Sequence, residues 1–181
     1  MEPDQVITLN PVSHPDRQVR RIGFELTDPY VEQCWAPLIG PSSTMLLRRL
    51  PELWSMHEPA EMEAKELSRS IGLGVGMGKN SPLVRTLDRL VRFRFARPGP
   101  SEPGLDVYTE VAPLGAHELA KVPQWSRDAH ARLLDAHLEQ FNGLSEHQAK
   151  IAAATARLDR VQHGHDRAPT ASAVIQKSLG R

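Results

Sequence analysis

Arg85, Arg89 and Arg92 are spaced i, i+4, i+7. On a helix this spacing puts three guanidinium groups on one side. A guanidinium keeps its charge at any ordinary pH and presents a rigid fork of donors. Such a row can hold phosphates, and it can donate paired hydrogen bonds to the O6 and N7 atoms of guanine. Leu83, Val84, Leu87, Leu90 and Val91 make the opposite, apolar side. Ser81 can cap the first turn, and Pro82 suits the first helical position. The pattern predicts a short helix from Ser81 to Phe93, with Thr86 beside the arginines on its outer face.

The charge around this helix is uneven. The chain has 181 residues and a formal net charge of zero, so the whole carries no polyanion signature. Lys79 to Arg97, however, holds six basic residues against one acid, Asp88. Five net positive charges in so short a stretch make binding to a polyanion salt-dependent. Glu58 to Glu66 holds four acids and one lysine, a segment that can steer a polyanion away from the wrong face. Arginine outnumbers lysine 17 to 5, which a GC-rich genome produces by itself, so position carries the argument rather than number.

The flanking elements must position that helix. Residues 1–23 contain Pro3, Pro11 and Pro15 and read as a mobile arm, with a short extended piece at Val6 to Leu9 and a basic end at Arg17, Arg20 and Arg21. Asp28-Pro29 is a helix start, with Tyr30, Val31, Cys34 and Trp35 as its apolar set. A second helix begins near Ser42, turns Met45, Leu46, Leu47 and Leu50 inward, and should stop or kink at Pro51. Glu58 to Met62 reads as a short extended segment, and Ala64 to Ile71 as a helix stopped by Gly72. After the arginine helix, Phe95-Ala-Arg and Leu105 to Val111 are two strands joined by a Pro/Gly loop, hence a hairpin. Glu118 to Phe141 is helical with a break near Pro123, and 145–163 forms a weakly amphipathic helix before a frayed or disordered end.

The order helix, extended segment, helix, turn, basic helix, hairpin resembles a winged helix-turn-helix domain over Ser42 to Val111. Three places carry the likeness: Ala64-Lys-Glu-Leu-Ser-Arg-Ser-Ile-Gly-Leu as the first helix of the motif, Ser81 to Phe93 as the recognition helix, and Phe95-Ala-Arg with Asp106-Val-Tyr as the wing strands. The turn from Gly72 to Asn80 is longer and richer in glycine than the tight turn of the simplest members. The resemblance implies a mainly α fold with a small β-hairpin, a winged-helix core plus C-terminal helices. Its divisions are an arm at 1–23, the winged-helix domain with its N-terminal helix at 24–115, a helical extension at 116–143 and a weakly helical or disordered tail at 144–181. It implies double-stranded DNA as partner and transcription regulation as role. Ser81, Arg85, Thr86 and Arg89 would face the groove, Arg92, Arg94 and Arg97 would lie nearer the backbone, and Lys79 and Asn80 at the end of the glycine-rich turn would touch DNA. The alternative is a winged-helix adaptor that binds a protein and no DNA. Within the 125–141 helix, Leu134, His137, Leu138 and Phe141 offer a face for a homodimer.

Other chemistry is not expected. Gly72 to Ser81 fails the phosphate-loop pattern, because Leu73 and Asn80 stand where it needs Gly and Ser or Thr. His130 and His137 are seven residues apart, about 10 Å along a helix and too far for one metal ion. His163, His165 and Asp166 have no third cluster near them. No nucleophile motif is present, so neither enzyme activity nor a cofactor is expected. Cys34 is alone and reads as a small buried hydrophobe. Without a leader or a long apolar run, a cytoplasmic location is expected and no membrane partner.

Overall fold

The piece at Val6 to Leu9 is a strand inside a sheet, not part of a mobile arm. A computed structural model of the chain describes residues 4–74, 78 and 80–165, and for 144–146 and 149–165 the backbone alone. In chain order the elements are β1 (Val6–Val12), α1 (Arg17–Ile22), β2 (Phe24–Glu25), a π-helical turn (Val31–Trp35), α2 (Ala36–Ile39), α3 (Pro41–Met56), β3 (Ala60–Glu63), α4 (Ala64–Ser70), α5 (Pro82–Arg92), β4 (Ala96–Pro98), β5 (Gly104–Tyr108), β6 (Glu110–Val111), α6 (Ala116–Leu119) and α7 (Gln124–His165). The expectation of a mainly helical chain with a small amount of β structure holds. The sheet is larger than a hairpin.

Its strand order is β3-β1-β5-β4. β1 runs antiparallel to β3, with Val6 opposite Glu63, and parallel to β5, with Thr8 opposite Gly104. Alternation explains the docking: Ile7 and Leu9 are buried, while Val6 is exposed. Trp54 at the far end of α3 donates its indole N–H to the Leu9 carbonyl at 2.9 Å, tying helix to strand. β2 and β6 form a separate pair, with Phe24 opposite Val111.

Across the middle strands runs a polar row. Asp106 on β5 is buried and lies between its register partners, Asn10 on β1 and Arg97 on β4. It accepts from Asn10 Nδ2 at 3.1 Å and from Arg97 Nε at 3.0 Å. A buried carboxylate needs such donors.

The helices pack on this sheet through leucines: Leu46, Leu47 and Leu50 of α3, Leu67 of α4, and Leu83, Leu87 and Leu90 of α5. Met45, expected inward, is half-exposed, because the buried stripe of α3 runs through Ser43, Thr44, Leu46, Leu47 and Leu50 instead. Pro51 does not stop α3, which continues to Met56. Packing on both sides of it, by Leu50 and then Leu53 and Trp54, outweighs the one helical hydrogen bond that proline removes.

The stretch after Asp28 centres on Tyr30, which is wholly buried and stacked on Phe24 with ring centroids 3.9 Å apart. Its hydroxyl accepts from the Leu114 amide at 2.8 Å and lies 2.5 Å from His130 Nδ1 on α7. Burial pushes the phenol well above its ordinary range against the opposing Leu114 hydrogen bond. Burial also lowers the His130 imidazole, with Asp135 opposing. The Tyr30 hydroxyl thus links the loop at Leu114 and α7 through one oxygen. Cys34 is buried, and burial pushes its thiol up to about 11.

Residues to Ala136 form one compact unit and those from His137 a second. In the first, Leu133 and Leu134 of α7 pack against the core. In the second, the helix continues without a break to His165, and His137 lies edge-on to Phe141 at 4.9 Å. The expected separate helix at 145–163 is thus the end of α7, and the expected disordered end at 166–181 lies outside the described residues. Among the described residues no helix is long and apolar enough to cross a membrane.

Candidate nucleic-acid interface

α5 starts as its sequence dictates. Ser81 is extended, and its hydroxyl accepts from the Val84 amide at 3.2 Å, with Pro82 in the first turn. That use accounts for Ser81 completely: the residue is buried, so the expectation that it meets a groove is corrected. Thr86 is corrected too. It is 5 % exposed and belongs to the inner stripe with Leu83, Leu87 and Leu90. Its hydroxyl donates to the Pro82 carbonyl at 2.8 Å, so it carries no unmet polar group into the core. Val84 and Val91 flank the stripe half-buried.

The outward face holds Arg85, Asp88, Arg89 and Arg92, all exposed. The arginines span two turns, about 10 Å. They are not equivalent. The Arg85 side chain makes no hydrogen bond or ion pair among the described residues. The Arg92 guanidinium lies 5.8 Å from the centre of the Phe93 ring. Arg89 reaches sideways and donates to the Ile39 carbonyl at the end of α2, at 3.0 Å. A cation suits that helix end, where unpaired carbonyls point outward. Gly40 makes room for it: a Cβ there would sit 2.7 Å from Arg89 Nη1. Gly40 also adopts φ 78, ψ 163, a region essentially restricted to glycine.

α5 ends in a six-to-one bond from the Phe95 amide to the Leu90 carbonyl at 2.9 Å and a five-to-two bond from Arg94 to Val91 at 3.1 Å. This is a Schellman end, whose left-handed residue is usually glycine. Here it is Arg94, with φ 60. The turn throws the exposed Arg94 side chain past the helix, next to Arg92. Arg97, the last of the series, is already paired with Asp106. Asn80 is exposed at the start of α5, and Lys79 lies outside the described residues.

The arrangement thus brings Arg85, Arg89, Arg92 and Arg94 together along one helix and its exit. Ser81 and Thr86 serve the fold, and Arg97, its side chain 58 % exposed, is paired with Asp106. Sequence reasoning missed a cleft of about 590 Å³ at the exit of α5, whose lining adds Trp35, His14, His117 and Lys121 to Arg92 and Arg94. These residues come from four separate stretches, so no local pattern marks them. Among the described residues no three His, Cys, Asp or Glu side chains converge as a metal ion would require. Comparison with protein-family models, with curated proteins and with solved structures finds nothing that matches this chain.

Proposed function

We propose that the protein binds duplex DNA as a winged helix-turn-helix regulator of transcription, with α5 as its reading helix. The observation that carries this is the outward row Arg85, Arg89, Arg92, backed by the buried Leu83, Leu87 and Leu90. A helix so built offers cations on one side and is held rigid on the other, which is what base-edge and phosphate contacts need. The order α3, β3, α4, α5, β4, β5 supports the reading, since it is the order of a winged helix-turn-helix unit. The strand β1 between β3 and β5 is an addition to that plan. A cytoplasmic location and a homodimer through the 125–141 stretch of α7 belong to the same proposal. A monomeric mass by light scattering at tens of micromolar would remove the dimer.

The test is a fluorescence-anisotropy titration of a labelled random-sequence duplex at rising salt. Binding that weakens steeply between 50 and 200 mM salt is the expected result, because each neutralised phosphate releases counterions. A folded protein that shows no binding at 50 mM salt overturns it. One observation favours the adaptor as second reading. Arg89 and Arg97 are committed to acceptors within the protein, which leaves a basic surface smaller than the composition promises.

A further inference from the structure

Arg94 stands where a glycine would cost less. A non-glycine residue in the left-handed region is strained, and such strain persists where the side chain is needed. The chain uses glycine at the equivalent place elsewhere. α4 ends in the same pair of bonds, Leu73 to the Ser68 carbonyl and Gly72 to Arg69, with Gly72 at φ 76. An arginine in this strained place at the end of α5 therefore points to the guanidinium, and Arg94 lines the cleft.

The cleft has the size of a small-molecule site, which falls between about 300 and 1,000 Å³. Its inner wall is aromatic. Trp35 meets Phe95 edge-on at 5.0 Å and Phe93 at 6.4 Å. The Trp35 indole N–H donates to the Ala112 carbonyl at 3.0 Å, which fixes the ring before anything binds. The rim is cationic: Arg92, Arg94 and Lys121 against the acids Asp16 and Glu118. One Asp16 carboxylate oxygen accepts from the Gln18 amide at the start of α1, and the three cations outnumber the two acids. Lys121 Nζ lies 2.6 Å from His117 Nε2, which holds the ammonium group at the rim.

We infer that this cleft binds a small aromatic acid, its ring against Trp35 and Phe93 and its anionic head held by Arg94 with Arg92 and Lys121. A flat apolar body gains from burial on the aromatic wall, and a planar fork of donors suits a carboxylate. Arg92 belongs both to this rim and to the outer face of α5. An occupied cleft therefore draws one cation away from DNA; that coupling, unlike the site, rests on the DNA-binding reading.

The test is calorimetric titration of the full chain with 2-naphthoate and with its neutral amide, 2-naphthamide. The acid binds and the amide does not. Arg94→Gly, which relieves backbone strain and so keeps the fold, weakens 2-naphthoate by about fivefold or more, the loss of one charge-assisted hydrogen bond. Lys121→Met weakens it in the same direction. Equal binding of acid and amide, no binding of either, or an Arg94→Gly protein that binds 2-naphthoate as wild type does overturns the site. DNA titration with saturating 2-naphthoate then reads the coupling as reduced affinity. If 2-naphthoate binds while the protein binds no DNA at 50 mM salt, the site stands and the DNA reading falls.

Discussion

Gly72 and Arg94 occupy the same position in two helix ends of the same geometry, with φ 76 and φ 60. One is the residue that the geometry favours and the other is not. Arg94→Gly should therefore stabilise the protein by ~1 kcal/mol, and Gly72→Ala should destabilise it by a similar amount. Urea unfolding measures both. Equal midpoints for wild type and Arg94→Gly would show that the Arg94 side chain offsets its backbone strain through contacts of its own.

Arg85 and Arg89 share a helix face but should respond differently to removal. Arg85→Ala should leave the melting temperature unchanged and weaken DNA binding, by roughly 1–3 kcal/mol for a base contact or through a shallower salt slope for a phosphate contact. Arg89→Ala should lower stability by about 1 kcal/mol, because the Ile39 carbonyl loses its donor. Thermal melts and anisotropy titrations on the two variants separate these effects. Identical melts would mean that the Arg89 contact is not kept in solution.

The Asn10–Asp106–Arg97 row predicts a stability defect without a binding defect. Arg97→Ala leaves Asp106, whose side chain is 12 % exposed, with Asn10 as its remaining donor. The expected loss is about 1 kcal/mol, tempered by the exposure of Arg97 itself. Pairing it with Asp106→Asn should recover part of that loss, since no buried charge then remains. The salt slope for DNA should stay that of wild type. A slope lower by about one charge would return Arg97 to the interface.

Acid should weaken the Tyr30–His130 contact. Burial, first, holds the His130 imidazole below its ordinary value, with Asp135 opposing. The unfolded chain thus takes up the proton at higher pH than the folded one. The contribution to stability is complete above the unfolded value of about 6.5, and it is lost as pH falls below that and through the folded value. His130→Gln should flatten the stability profile in this window. Tyr30→Phe should cost about 1–3 kcal/mol at pH 7, because the buried Leu114 amide loses its acceptor. A His130→Gln profile that follows wild type below pH 6.5 would place the titration elsewhere.

Local chemistry was legible; pairing across the chain was not. Ser81-Pro82 announces α5, and the leucines at 83, 87 and 90 face inward as their spacing requires. The short extended segment before α4 and the hairpin after α5 also follow from nearby residues. Thr86 misled because polarity suggests exposure, whereas a threonine within a helix can satisfy its hydroxyl on the carbonyl four residues back and bury its methyl. Arg97 belongs to Asp106 through the β4–β5 register, which a sequence does not display. The same holds for β1. Its alternation is short, Pro11 lies within it, and its partners are β3 and β5, far along the chain.

The place of β1 also bears on how the chain is made. Its parallel register joins Thr8 to Gly104 and Val12 to Tyr108. On a ribosome adding 5–20 residues per second, the interval between these partners is about 5–20 s. During that time β1 has β3 as its one sheet neighbour, and only once residues 60–63 are made. Contacts of such long sequence separation slow folding and leave unpaired edges open to other chains. Until β5 is made, the edge of β1 that it covers stays open, and Ile7 and Leu9 lie on that open strand.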